Sequence, residues 1–455
     1  MSTRFRVVKT FLSVVLLVLA VPHTFGRELP TALPARVGMS SERLQRLTDH
    51  MQQAVEEGVM VGGLGMIARN GRVVYQETYG HTDRDAAKPM AIHNLFRIYS
   101  MSKPITSVAV MMLYEEGHFF LHEPVARYIP ELANLVVATS TADGETTAVS
   151  DGTTSRTVGK GDESKQGQTR KPSRQPTIRD LLSHTAGFTY GFFGNTEVDK
   201  QYRETELMQS GDTLEKFVTQ LGKIPLQYDP GTRWHYSVSV DVQGRLVEAV
   251  SGMRFGEFLQ KRLFEPLDMK DTSFTVPQAK FDRLAQIYSP EGMEWGSNVF
   301  MTPITSSKLV VSPAVIDDGY REGATFESGG GGLVSTVRDY MRFSQMMLNG
   351  GELDGARILS PKTVELMTIN HLGDIRMGFG RRGVGFGLGF AVALDQGRIG
   401  ELGSAGEYNW GGAAGTRFWI DPEEQLIGIF MVQSIPHRTR LGSDFKNLTY
   451  QAIVE

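Results

Sequence analysis

The chain has 455 residues and sets 47 Lys and Arg against 51 Asp and Glu, a formal charge of -4. That leaves no basic surplus to hold a nucleic-acid backbone, while the length allows one large core or two medium ones. Cysteine is absent, which excludes disulfides, a thiol nucleophile, thiolate-held zinc or iron–sulfur centres and a lipid-modified N-terminal cysteine.

Arg4, Arg6 and Lys9 precede an almost wholly apolar run, Phe11 to Val21, which Pro22 ends. Thr24 and Gly26 are small enough for a signal peptidase. Residues 1–26 are therefore expected to be a signal peptide, and 27–455 one exported domain, periplasmic or secreted. The run of about 11 residues falls short of the roughly 20 that span a bilayer, and no later run reaches that length, so no stable span is expected after cleavage.

Apolar positions at Leu44, Leu47, Met51 and Val55 predict an amphipathic helix over Ser41 to Glu57. Gly62 to Ala68 and Val73 to Tyr79 read as strands, joined through Arg69-Asn70-Gly71-Arg72, and Asn-Gly between apolar runs is a strong hairpin signal. Ile105 to Leu113 is apolar on nearly every face, which predicts a buried central helix. From Ala138 to Thr177 there is no aromatic residue, Leu, Ile or Met. Such a stretch cannot bury enough apolar surface to offset its ordering entropy, so it is expected to be a disordered or loosely held surface insertion.

Helices are predicted over Val240 to Val250 and Phe255 to Phe264. Beyond Gly383, strands are predicted over Gly387 to Ala393, Arg398 to Leu402, Gly415 to Ile420 and Leu426 to Val432. Asp421-Pro422-Glu423-Glu424 turns the last two, and a helix over Phe445 to Ile453 closes the chain. Strands at both ends with helices between imply an α/β (α+β) domain. Its sheet comes from about 40–95 and 330–455, and a helical region of about 96–329 is inserted.

Several catalytic patterns are missing: there is no Gly-x-Ser-x-Gly elbow, no His-Glu-x-x-His and no phosphate-binding loop. What remains is Ser-x-x-Lys, which on a helix puts an amine beside a hydroxyl on one face. A desolvated lysine there can take the hydroxyl proton. The motif occurs twice. Ser443-Asp444-Phe445-Lys446 reads as a helix cap and first turn. Ser100-Met101-Ser102-Lys103 precedes Pro104 and the apolar helix, which places Ser100 at a helix N-terminus, where backbone amides favour developing negative charge.

The segment Phe96-Arg97-Ile98-Tyr99-Ser100-Met101-Ser102-Lys103-Pro104-Ile105-Thr106 resembles the active-site start of the serine β-lactamase-related hydrolases. These include class C β-lactamases, D-Ala-D-Ala carboxypeptidases and family VIII carboxylesterases. Leu181-Leu182-Ser183-His184-Thr185-Ala186-Gly187, then Tyr228-Asp229-Pro230-Gly231 leading into Trp234-His235-Tyr236-Ser237, then Glu265-Pro266-Leu267-Asp268-Met269 and Gly329 to Ser335 follow in the family's order.

The resemblance implies a β-lactamase/transpeptidase-like fold, with an antiparallel sheet flanked by the terminal helices and a helical domain inserted. It implies Ser100 as the acylated nucleophile, Lys103 as its activating partner and Tyr236 as proton shuttle. A tyrosine near ammonium groups is expected to favour its phenolate. The backbone amides of Ser100 and Ala413 are implied as the oxyanion hole, and Trp410-Gly411-Gly412 stands at the family's Lys-Thr-Gly place. His184 is read as structural.

Two departures bear on the substrate. Val238 stands where β-lactamases carry the Asn of Tyr-x-Asn, and Trp410 replaces the Lys of Lys-Thr-Gly, as in the family VIII esterases. The expected substrate is therefore a small-molecule ester, with an amide as alternative, contacted by Trp410, Gly411, Gly412 and Val238. No cofactor, metal or nucleic acid is implied. A β-lactamase, a D-Ala-D-Ala carboxypeptidase, a related acyltransferase and an inactive binding module are the alternatives.

Overall fold

The computed structural model describes residues 28–139, 168–205, 207–209, 211–293, 306–313, 320 and 326–455. The expected signal peptide lies outside them. Helix α1 (Ser41–Glu56) starts where the Ser40 hydroxyl caps the Arg43 amide, and it buries Leu44, Leu47, Met51 and Ala54. Strands β1 (Gly62–Arg69) and β2 (Arg72–Asp83) follow. Their tight turn puts Asn70 at φ 53° and Gly71 at φ 71°, the left-handed pair that a two-residue hairpin needs.

After the short edge strand β3 (Lys88–Pro89), the chain enters helix α2 (Ser102–Glu115), buried throughout from Ser102 to Leu113 and packed against α3 (Ser239–Ser251). Helix α4 (Val337–Leu348) leads back to β4 (Val384–Phe386), β5 (Ala391–Ala393), β6 (Tyr408–Gly411), β7 (Arg417–Asp421), β8 (Leu426–Val432) and the final helix α5 (Leu441–Gln451).

The sheet has eight antiparallel strands in the order β4-β5-β6-β7-β8-β1-β2-β3, so the last strand pairs with the first, Gly63 opposite Val432 and Arg69 opposite Leu426. Side chains alternate across it. On β8, Ile427, Ile429 and Met431 join the main core with Leu64 and Met66 of β1, against α4 and in the same core as the apolar side chains of α2. Leu426, Phe430 and Val432 face the other way, under Leu44, Leu47 and Met51 of α1 and Phe445 of α5. This is the β-lactamase/transpeptidase-like fold, its sheet built from both ends of the chain.

Three local expectations are corrected. Gly387 to Ala393 is not one strand. The chain reverses, with Gly389 at φ 96° and its α-carbon packed against Ser107, so that only Ala391–Ala393 pairs, between β4 and β6. Arg398 to Leu402 is not a strand either: Asp395 caps a helical turn at Gln396–Ile399, which Gly400 ends at φ 75°. Of the polar insertion, residues 140–167 lie outside the described residues, but its ends are held. Val137–Ala138 pairs with Thr169–Arg170, Arg170 bridges to Asp229, and Arg174 grips the buried Asp180 through two bonds of 2.5 and 2.9 Å. Arginine fork geometry, which composition does not register, anchors that end.

Candidate active site

The N-terminal end of α2 begins at a tight turn. Tyr99 sits at φ 42°, in the left-handed region that costs an L-residue roughly 1–2 kcal/mol. The turn Tyr99–Met101 then runs into α2 and presents Ser100 at the cleft, with Lys103 one helical turn on. Lys103 Nζ lies 3.1 Å from Ser100 Oγ and donates to the Gly330 carbonyl at 2.6 Å. It also stands over the Tyr236 and Tyr190 rings, at 4.5 and 5.2 Å from their centroids. The side chain is 1% exposed. Burial pulls its pKa down to about 7 against an opposing pull from Asp241, so a large share of it is free amine at neutral pH.

The second Ser-x-x-Lys has no such pairing. Lys446 Nζ is bound to Glu407 at 2.7 Å, while the Ser443 hydroxyl donates to Glu401 at 3.1 Å and accepts from Arg417 at 3.0 Å. That segment lies within α5 and fastens the helix to the sheet.

Tyr236 sits across the site, and the Trp410 indole N–H donates to its hydroxyl at 3.2 Å. Burial pushes the Tyr236 phenol well above its ordinary pKa, and hydrogen bonds to Ser100 and Trp410 offset only part of that. The expected phenolate is therefore reversed. Lys103 loses its proton at a lower pH than that phenol, so it carries no charge to hold an oxyanion there. Tyr236 therefore rests as a phenol.

Strand β6 brings Trp410 and Gly411 to the cleft, and the turn after it brings Gly412 and Ala413. A Cβ on Gly412 would fall 2.4 Å from the Ile98 carbonyl, so only glycine lets this edge lie against the chain that leads into Ser100. The amides of Ser100 and Ala413 donate to no other described residue, which leaves both free for a ligand oxygen.

Around one cleft of about 580 Å³ the structure thus gathers Ser100, Tyr236, Trp410, Gly411, Gly412 and Ala413, with Lys103 just beneath. Val238 is not among the lining residues. It is 0% exposed, in the core at the start of α3, so the side chain expected to meet substrate cannot do so. His184 packs its ring 4.9 Å from that of Tyr236, and burial holds it well below its ordinary pKa, hence neutral. Sequence reasoning missed Tyr190, Phe193 and Phe379, aromatic walls of the cleft that touch Tyr236 or one another. They belong to no motif, and only folding brings them together.

The Beta-lactamase family model matches residues 47–448. The chain belongs to that family. Protein Rv1367c of Mycobacterium tuberculosis (strain ATCC 25618 / H37Rv) is 31% identical over 396 residues, 85% of this chain and 89% of that one. Esterase EstB of Burkholderia gladioli is 28% identical over 402 residues, 86% of this chain and 90% of its own. Among solved structures, EstCE1, described as a hydrolase with promiscuous acyltransferase activity, superposes with a TM-score of 0.69 at 25% identity, covering 90% of this chain and 98% of that one. The chain is accordingly a hydrolase of the β-lactamase/esterase superfamily.

Proposed function

We propose that this hydrolase is an exported carboxylesterase that works through an ester on Ser100. As Ser100 Oγ attacks the substrate carbonyl, the amine of Lys103 takes its proton. The tetrahedral oxyanion lies between the Ser100 and Ala413 amides, typically the largest single catalytic contribution in acyl transfer. The proton passes through the Tyr236 hydroxyl to the departing alkoxide, and the alcohol leaves. Water then attacks the acyl-serine while Lys103 and Tyr236 take its proton and return one to Ser100 Oγ, releasing the acid.

The observation that carries the ester reading is the Trp410–Tyr236 hydrogen bond of 3.2 Å. An indole occupies the place of the Lys-Thr-Gly lysine and is tied to the proton relay, so this wall offers no ammonium to a substrate carboxylate. At this wall the carboxylate of a β-lactam or a peptide C-terminus would find no partner, a demand that a neutral ester does not make. Three arginines line the cleft, Arg381, Arg417 and Arg438; Arg417 is engaged by Ser443 at 3.0 Å and Glu401 at 3.5 Å, and none of the three stands in the place of the Lys-Thr-Gly lysine. The names of EstB and EstCE1 point the same way.

The test is a panel of short p-nitrophenyl esters against nitrocefin. Butyrate should exceed nitrocefin in kcat/KM by at least about a hundredfold, or about 2.7 kcal/mol. Equal values would replace the esterase reading with a β-lactamase one. Export rests on Arg4, Arg6, Lys9 and the apolar run after them. A protein recovered outside the cytoplasm and beginning near Arg27 supports it, and one retained there with residue 1 intact overturns it.

A further inference from the structure

Beneath the site, the Ser328 to Leu333 strip is sewn to two helices. On the α2 side, Lys103 Nζ donates to Gly330 O at 2.6 Å, Thr106 Oγ1 to Gly329 O at 2.9 Å, and Ser102 Oγ accepts from the Leu333 amide at 3.2 Å. On the α3 side one residue does the holding. Asp241 Oδ1 accepts from Ser328 Oγ at 2.6 Å and from the Gly330 amide at 3.1 Å. The same peptide unit that binds Asp241 through its N–H thus belongs to the residue that binds Lys103 through its carbonyl.

We propose that Asp241 is a positioning residue for the reaction, holding the Gly330 carbonyl against Lys103 and supplying the buried negative charge that the lysine faces. This rests on the Ser100–Lys103 reading above, and it identifies a group that no motif contains.

Three observations support it. Asp241 is 0% exposed, and its second oxygen, Oδ2, has no hydrogen-bond partner among the described residues. A carboxylate kept in the core with half its acceptor capacity unused is not explained by loop anchoring alone, for which an amide would serve. Gly330 has no room for a side chain, because a Cβ would fall 2.6 Å from Asp241 Oδ2 and 2.7 Å from the Tyr190 hydroxyl. The carboxylate is therefore pressed close against the strip that Lys103 binds.

Finally, the charges around Lys103 leave Asp241 alone in its role. From α3 comes Asp241. The loop after the short helix Ile178–Leu182 brings His184, held neutral by burial, and Tyr190 and Tyr236 are held as phenols. Among the described residues, Asp241 is the carboxylate whose charge opposes the desolvation of Lys103, and burial in turn raises its own pKa.

Asp241→Asn keeps the size and an acceptor but removes the charge. Lys103 then loses a proton more readily, so the acid limb of the pH–kcat/KM profile should move to lower pH by about one unit. Ser328→Ala leaves the carboxylate in place but removes a bond that favours its ionised form, and should shift the limb the same way by a smaller step. The limb is read both from ester hydrolysis and from the rate at which a fluorophosphonate labels Ser100, which needs no correct choice of substrate. Melting temperatures confirm that each variant is folded. Limbs that coincide with the parent's in both variants, whatever the loss of rate, overturn the charge role while leaving the ester reading standing. An absence of ester turnover in the parent removes the ester reading alone, because the labelling profile still reports on Asp241.

Discussion

Lys103 can act as a base because burial lowers its pKa to about 7, far below the ordinary 10.5. Below that pH it is an ammonium and cannot accept the Ser100 proton, and above it the free amine can. Activity should therefore rise with pH through about 7, as measured by kcat/KM for a neutral ester between pH 5 and 9. Lys103→Arg keeps a cation of similar reach that does not deprotonate. It should lose at least about a thousandfold in rate across that range, in keeping with the loss of a general base and the alignment it supports. An arginine variant with near-parental activity would mean that charge rather than proton transfer is the lysine's contribution. The Ser-x-x-Lys spacing made this pair readable in the sequence. Val238 was misread because the spacing from Tyr236 says which residue it is but not which way the chain turns, and α3 begins there and buries it. Asp241 and Tyr190 were not readable, since the contacts that give them meaning join segments 89 residues apart or lie across the cleft.

The ends of the polar insertion are built into the helical region, and that changes what can be removed. Ala138 pairs with Thr169, so the two chain ends leave side by side. Replacing 140–167 with a short Gly/Ser linker should shift the melting temperature by no more than about 2 °C, because the segment has no aromatic residue, Leu, Ile or Met to add to a core. Extending the cut to Arg174 should lower it further, since Asp180, with its side chain 5% exposed, would lose its bidentate partner. An equal effect of the two deletions would show that the arginine fork is dispensable. Elements with strong local signals were legible: the Asn70-Gly71 hairpin, the buried α2 and the capped, amphipathic α1. The segments around Gly389 and Arg398 were not. Short runs of that kind pair or curl according to what they meet, and here Asp395 captures the start of a helical turn before a strand can form.

At the scale of the molecule, β8 joins β1 and helix α5 lies beside α1, so the C-terminal segment completes the sheet that the N-terminal segment begins. Lys446 fastens that helix: it is bound to Glu407, whose side chain is 0% exposed, and Tyr450 donates to the same carboxylate at 2.9 Å. Lys446→Met should cost about 3 kcal/mol of stability by leaving a buried carboxylate short of its cation. Denaturant unfolding measures the loss, and ester turnover per folded molecule should stay near the parent's. A folded but inactive variant would instead make Ser443-x-x-Lys446 the reactive pair. The decisive measurement between the two motifs is covalent labelling of the intact protein by a fluorophosphonate, followed by peptide mass spectrometry. The added mass should fall on Ser100, Ser100→Ala should take up none, and Ser443→Ala should label at the parental rate. Label on Ser443, or undiminished labelling of Ser100→Ala, would contradict the assignment of Ser100 as nucleophile.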